Sequence, residues 1–148
     1  MANTVYAEYT TYAAMTTVIP NDNTIPQNTE GTEILTAAIT PVSASNKIRV
    51  RFMGWGSANT ALTPLAAALF KDSDANALQA TRATSPSTGN AVQLAFEYEE
   101  SAGSTNARTY KVRVGPTVAD TIHMNGSPFN RIFGGICRST LVVEEIPV

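Results

Sequence analysis

Lys47-Ile48-Arg49-Val50-Arg51-Phe52 alternates charged and apolar side chains without a break. In an extended chain this puts Ile48, Val50 and Phe52 on one face and Lys47, Arg49 and Arg51 on the other, the signature of a half-buried strand. The period of two recurs in Val92-Gln93-Leu94-Ala95-Phe96-Glu97-Tyr98-Glu99, over four apolar positions. Tyr110, Val112 and Val114 alternate with Lys111 and Arg113, and Leu141, Val143 and Glu145 interleave with Thr140, Val142 and Glu144. A weaker strand is expected over Ile34 to Thr40. Leu65 to Lys71 is apolar at successive positions, which predicts a strand covered on both faces.

Turn-forming residues separate these runs at Pro20 to Asn23, Pro41 to Asn46, Asp72 to Asn76, Ser85 to Asn90, Ser101 to Asn106 and Asn125-Gly126. Asn125-Gly126 predicts a two-residue hairpin of type I′, because both residues tolerate positive φ. No segment sustains a helical period. Leu62 to Leu69 is short and interrupted by Pro64. Many short strands with regular turns specify an all-β sandwich or barrel.

At 148 residues the chain has the length of one domain, enough to bury roughly 70% of the surface its unfolded form exposes. Cys137 is the single cysteine, so no disulfide closes within the chain. Charged residues are 15% of the sequence and the formal net charge is −2, so a nucleic-acid partner is not expected. Solubility falls to Thr, Ser, Asn and Gln. Such a surface suits a protein packed in an assembly, and equally an ordinary neutral β domain.

The N-terminus reads differently from the rest. Residues 1–15 hold Tyr6, Tyr9 and Tyr12 with few aliphatic residues, and Pro20 and Pro26 follow. They are expected to form an extended arm with room for one short strand rather than core, with the three tyrosines as candidate partner-binding residues; alternatively the tyrosines edge the sandwich. Met1 to Tyr12 lacks the basic and apolar regions of a signal peptide. Leu65 to Phe70 is too short to span a bilayer, so membrane insertion is not expected.

No constellation of catalytic residues emerges, and neither a metal nor a cofactor is expected. His123 is the only histidine. It and Cys137 are the residue types of a nucleophile–base pair, but Cys137 follows Ile136 in an apolar stretch and reads as a small buried hydrophobe. Asp72-Ser73-Asp74-Ala75-Asn76 begins like a calcium loop, yet Ala77 stands where the sharp turn needs Gly and Ala83 where a bidentate Glu belongs. Glu99-Glu100 and Glu144-Glu145 are adjacent on strands and point to opposite faces, so neither pair converges on one substrate. Gly134-Gly135 and Gly54-Trp55-Gly56 lack the Lys-Ser/Thr of a phosphate loop. Asn125-Gly126-Ser127 matches a glycosylation sequon and reads as a turn. Lys47, Arg49 and Arg51 form a stripe able to face an anionic partner, with a solvated strand face as the plain reading.

Several short motifs fall in a characteristic order: Val18-Ile19-Pro20 with Asp22, Thr24-Ile25-Pro26-Gln27, Ile39-Thr40-Pro41, Asn46-Lys47-Ile48, Ala68-Leu69-Phe70 with Asp72-Ser73, Thr109 to Gly115, Asn125-Gly126, Phe133-Gly134-Gly135 and Glu144-Glu145-Ile146. In this order they resemble the trimeric jelly-roll module of tailed-bacteriophage structural proteins. The resemblance implies an antiparallel two-sheet jelly-roll sandwich, similar to complement-like and tumour-necrosis-factor-like heads, over residues 16–148 behind the arm of residues 1–15. It implies a homotrimer that acts by binding and architecture, with no catalytic residues. Fibre tips of this kind follow a long shaft, which this sequence lacks.

The expected function is therefore that of a virion protein assembled in the host cytoplasm: a trimeric capsid decoration, cement or head-spike protein. Tyr6, Tyr9 and Tyr12 would dock on the major capsid protein or another virion protein. The alternative is a tail fibre or spike tip whose polar loops, at Ser85 to Asn90 and Ser101 to Asn106, read a host receptor or surface glycan. Trp55 would stack on a sugar in that reading, although a buried tryptophan is the simpler expectation.

Overall fold

A computed structural model describes residues 3–148. Strands β1 (Thr4–Tyr9), β2 (Ala13–Met15), β3 (Thr32–Ile39), β4 (Lys47–Ala58), β5 (Pro64–Lys71), β6 (Gln79–Thr84), β7 (Val92–Ser101), β8 (Arg108–Pro116), β9 (Ile122–Met124) and β10 (Ser139–Ile146) form two antiparallel sheets. The first sheet runs β1-β10-β4. Beyond β4 the long strand is shared: β7 pairs with Lys47–Gly56, and β9 pairs with Gly56–Ala58 and carries β2 outside it. The second sheet runs β3-β8-β5-β6.

Strands at opposite ends of the sequence lie side by side, β1 against β10 with Tyr6 opposite Val142. Loops pass from one sheet to the other between most consecutive strands, the topology of a jelly roll. The alternation in the sequence sets the register. Ile48, Val50 and Phe52 of β4, Leu141 and Val143 of β10, Val112 and Val114 of β8, and Leu65 and Leu69 of β5 all enter one core between the sheets. A one-residue slip in any of them would put its apolar set into solvent.

The expectation of an arm at residues 1–15 is corrected in one respect: residues 3–15 do not stand apart from the sandwich. Thr4–Tyr9 closes the edge of the first sheet beside β10, and Ala13–Met15 pairs with β9. The period of two is present in Thr4–Tyr9 but weak, because its inward side chains are Val5, Ala7 and Tyr9. An edge strand covers less core than a central one and tolerates that composition.

The segment after β2 explains the two-sided burial of β5, whose residues from Leu65 to Phe70 are all buried. Residues 17–31 cross the outer face of the second sheet as a strap. Ile19 donates its N–H to the Pro116 carbonyl at 2.9 Å, and Asn28 donates to Ala75 at 2.9 Å. Arg113 ties the strap down through Nε to the Glu30 carbonyl (2.7 Å) and a terminal nitrogen to the Gly31 carbonyl (2.9 Å). Gly115 is where the strap comes closest, since a Cβ there would lie 2.2 Å from the Thr17 carbonyl oxygen.

The hairpin expected at Asn125-Gly126 is also corrected. Asn125 adopts positive φ (62°) but Gly126 does not, and β9 is not turned back on itself. Instead Asn125 fastens the β1–β2 connection. Its amide nitrogen donates to the carbonyls of Tyr9 (2.9 Å) and Thr11 (3.0 Å), and its amide oxygen accepts from Ser139 Oγ (3.0 Å). Gly126 is needed for room, because a Cβ would lie 2.7 Å from the Tyr12 ring.

Candidate interaction surface

The outward face of the first sheet is built in cross-strand rows. Tyr6, Val142, Arg51 and Glu97 form one row, and Glu8, Thr140, Met53 and Ala95 form the next. Tyr6 is 57% exposed and Met53 55%, while their inward neighbours Val50 and Phe52 are buried. Between β10, β4 and β7 lies a shallow depression of about 480 Å³ lined by Arg51, Met53, Ala95, Glu97, Thr140 and Val142. On this part of the face the apolar side chains Tyr6, Met53, Ala95 and Val142 are interleaved with Arg51, Glu97 and Glu8.

The charges of this face are self-neutralising. Arg49 pairs with Glu99 at 2.9 Å and with Glu97 at 3.6 Å, Lys47 with Glu99 at 3.3 Å, and Arg51 with Glu144 at 3.5 Å. Hydrogen bonds from Arg49 and Lys47 hold the Glu99 carboxyl below the usual carboxylate range. The Lys47, Arg49, Arg51 stripe is therefore matched by carboxylates on the flanking strands, each a cross-strand pair of modest strength.

The three tyrosines have separate environments. Tyr6 points outward, its hydroxyl donating to Glu8 Oε2 at 3.1 Å. Tyr9 is half-buried against the core, and burial pushes its phenol upward. Tyr12 stacks on His123 with ring centroids 5.8 Å apart, and its hydroxyl donates to the Ser127 carbonyl at 2.5 Å. Tyr9 and Tyr12 serve the sandwich itself, and Tyr6 alone presents an exposed ring.

Glu99 and Glu100 do point to opposite faces. Glu100 accepts from Lys71 Nζ at 3.0 Å and from the buried Tyr110 hydroxyl at 2.5 Å, which ties the two sheets together. No hydrogen bond joins His123 and Cys137 among the described residues, and His123 Nδ1 is buried with no partner. Burial lowers the His123 pKa, against a weaker upward pull from Asp120. Cys137 is partly exposed rather than buried. The Asp72 loop closes on protein, with Oδ1 accepting from the Thr109 N–H at 2.9 Å. No group of three or more His, Cys, Asp or Glu side chains able to hold a metal occurs among the described residues.

Trp55 is not a buried core residue. It is half-buried and borders a hollow of about 400 Å³ with Met53, Gly54, Ala91, Val92, Gln93 and Arg138. Pattern reading could have found this, because Trp55 shares the parity of the outward-facing Arg51 and Met53.

No family model matches the sequence, and no curated protein matches it. Solved structures do match. The chain is similar to the Eiger TNF from S. frugiperda at 11% identity over 99% of this chain and 93% of that one, with a TM-score of 0.51. It is also similar to a chain of the infectious bursal disease virus Gt strain, at 12% identity over 99% of this chain and 38% of that one, with a TM-score of 0.50. At these identities the likeness is one of fold: the chain is an all-β jelly-roll sandwich of tumour-necrosis-factor-like architecture, a fold also present in that virus structure.

Proposed function

We propose that this chain is a non-enzymatic structural protein of a virus particle of the tailed-bacteriophage kind, working as a homotrimer that decorates or cements the head. The observation that carries the reading is the outward face of the first sheet. Tyr6, Met53 and Ala95 lie there exposed, with Val142 partly exposed, beside charges that are already paired. A cyclic trimer turns one such face per copy toward a common axis, so no face is left to template open-ended growth. The low overall charge fits a protein that spends its life in an assembly. Anchoring on the particle falls to surfaces other than Tyr9 and Tyr12, which are occupied internally.

Sedimentation at micromolar concentration tests the assembly. A trimer mass is expected for the chain, and a monomer for Val142→Asp or Met53→Asp with the melting temperature retained. A monomeric parent chain overturns the trimer. Imaging labelled protein on intact virions tests location, with label spread over the head expected.

The Trp55 hollow favours a second reading, a fibre or spike tip that binds a host glycan. An aromatic face beside Gln93 and Arg138 offers stacking and hydrogen-bond donors to a sugar. Label at the tail tip, together with glycan-array binding abolished by Trp55→Ala, would select it.

A further inference from the structure

One end of the sandwich differs from every other surface. The loops at residues 59–63, 85–91, 117–121 and 125–138 gather there, between the upper ends of the strands. They expose Leu62 (70%), Val118 (52%), Phe129 (75%), Phe133 (74%) and Ile136 (70%). The loops are tied to one another: the Leu62 N–H donates to the Ser85 carbonyl at 2.7 Å, and Thr88 Oγ1 donates to the Asn59 carbonyl at 3.1 Å. The Phe129 ring lies over Gly89, where a Cβ would come within 2.8 Å of it.

Two of these side chains stand on unfavourable backbone. Leu62 (φ 66°) and Phe133 (φ 52°) are in the left-handed region, rare for bulky residues and tolerated where the surroundings enforce it. Both are thrown into solvent rather than into the core, so core packing is not what the strain serves.

We infer that this loop end docks onto a protein partner on the virus particle, one whose contact surface is apolar at its centre with a carboxylate placed to meet Arg131. The inference rests on the virus-particle reading above. The exposed apolar area of these five side chains sums to on the order of 600 Å², the scale of one side of a standard protein interface.

Charge selects the class of occupant. The loops at 59–63 and 85–91 carry no charged residue, and no Asp or Glu occurs between Asp120 and Glu144. Asp120 is engaged by the N–H groups of Thr60 and Thr121. Arg138 is paired with Glu8 at 2.8 Å. Arg131 is exposed and makes no ion pair among the described residues. One unpaired Arg or Lys at this end, among the described residues, on a chain of net charge −2 gives little attraction to an anionic lipid surface, which calls for clusters of basic residues. A second copy placed on this end would offer Arg131 no free carboxylate, because the loops carry none beyond the engaged Asp120.

The test uses virus particles produced without this chain, to which purified protein is added back. The parent chain is expected to rebind, and Val42→Ser, at the opposite end, to rebind equally. Phe129→Ser with Phe133→Ser should weaken rebinding roughly tenfold or more with trimer mass and melting temperature unchanged. Arg131→Glu, which removes no packed side chain, should also weaken it, and serves if the double variant fails to fold. If the parent chain does not rebind, the virus-particle reading falls and this inference with it. If the parent and both variants rebind alike, the docking assignment alone is overturned. Loss of the trimer in a folded double variant assigns the end to self-association and also overturns it. So does flotation of the parent chain, but not the double variant, with vesicles of phosphatidylcholine and phosphatidylglycerol.

Discussion

Glu145 and Asn46 meet across 99 positions of sequence, the Asn46 amide donating to Glu145 Oε1 at 2.8 Å. The same carboxylate accepts from the N–H groups of Val42 (2.8 Å) and Ser43 (3.3 Å) and from Asn3 Nδ2 (3.0 Å). One side chain of the last strand therefore organises the β3–β4 loop and the start of the first strand.

Burial alone would raise the Glu145 carboxyl, but the hydrogen bonds from Asn46, Val42, Ser43 and Asn3 outweigh it and hold it below the usual value of 4.5. A depressed carboxyl stabilises the fold above its ordinary pKa and loses that contribution as pH falls through the lowered value. Glu145→Gln is expected to melt lower than the parent at pH 7, with the gap closing as pH drops below about 4.5. Thermal melts across pH 3 to 7 check this. A gap independent of pH would mean that the carboxylate charge is not what the loop requires.

His123 supplies a second pH dependence in a different window. Its pKa lies below 6.5 because the imidazole is partly buried under Tyr12. The unfolded chain then takes up the proton first, so stability falls as pH drops from about 6.5 toward the folded value. His123→Phe keeps a ring against Tyr12 and should remove this upper slope while leaving the Glu145 region intact. Urea unfolding at pH 7.5 and 5.5 measures it. An unchanged difference between the two pH values in His123→Phe would exclude His123 as its source.

Gly115 sets how closely the strap approaches the second sheet. In Gly115→Ala the new Cβ, fixed directly on Cα, runs into the Thr17 carbonyl oxygen, which is backbone, so neither can swing away. The strap must lift from β8, weakening the Ile19–Pro116 hydrogen bond and uncovering the outer face of β5. A loss of about 1–3 kcal/mol is expected in equilibrium unfolding. Amide exchange should quicken first at Ile19 and Gly31, whose N–H groups bond to Pro116 and Val18.

The class of the fold was legible because side-chain parity is a local property. Lys47 to Phe52 and Val92 to Glu99 each declare a buried face without reference to any partner. The double burial of Leu65 to Phe70 was equally legible, though not the strap that causes it. The partners themselves were hidden. Thr4–Tyr9 pairs with β10 across nearly the whole chain, and the apolar signal of this edge strand is faint. The interaction surfaces followed the same division. Tyr6, Tyr9 and Tyr12 look equivalent in sequence, but hydrogen bonding to Ser127, stacking on His123 and packing against the core leave only Tyr6 free. Leu62, Phe129 and Phe133 look like scattered apolar residues in polar loops.

Alternation and turn chemistry act between near neighbours, so an all-β sandwich could be read from the residues alone. Tertiary structure decided which side chains are spent inside the molecule and which remain for a partner. That outcome depends on what residues distant in sequence cover, and no local pattern records it.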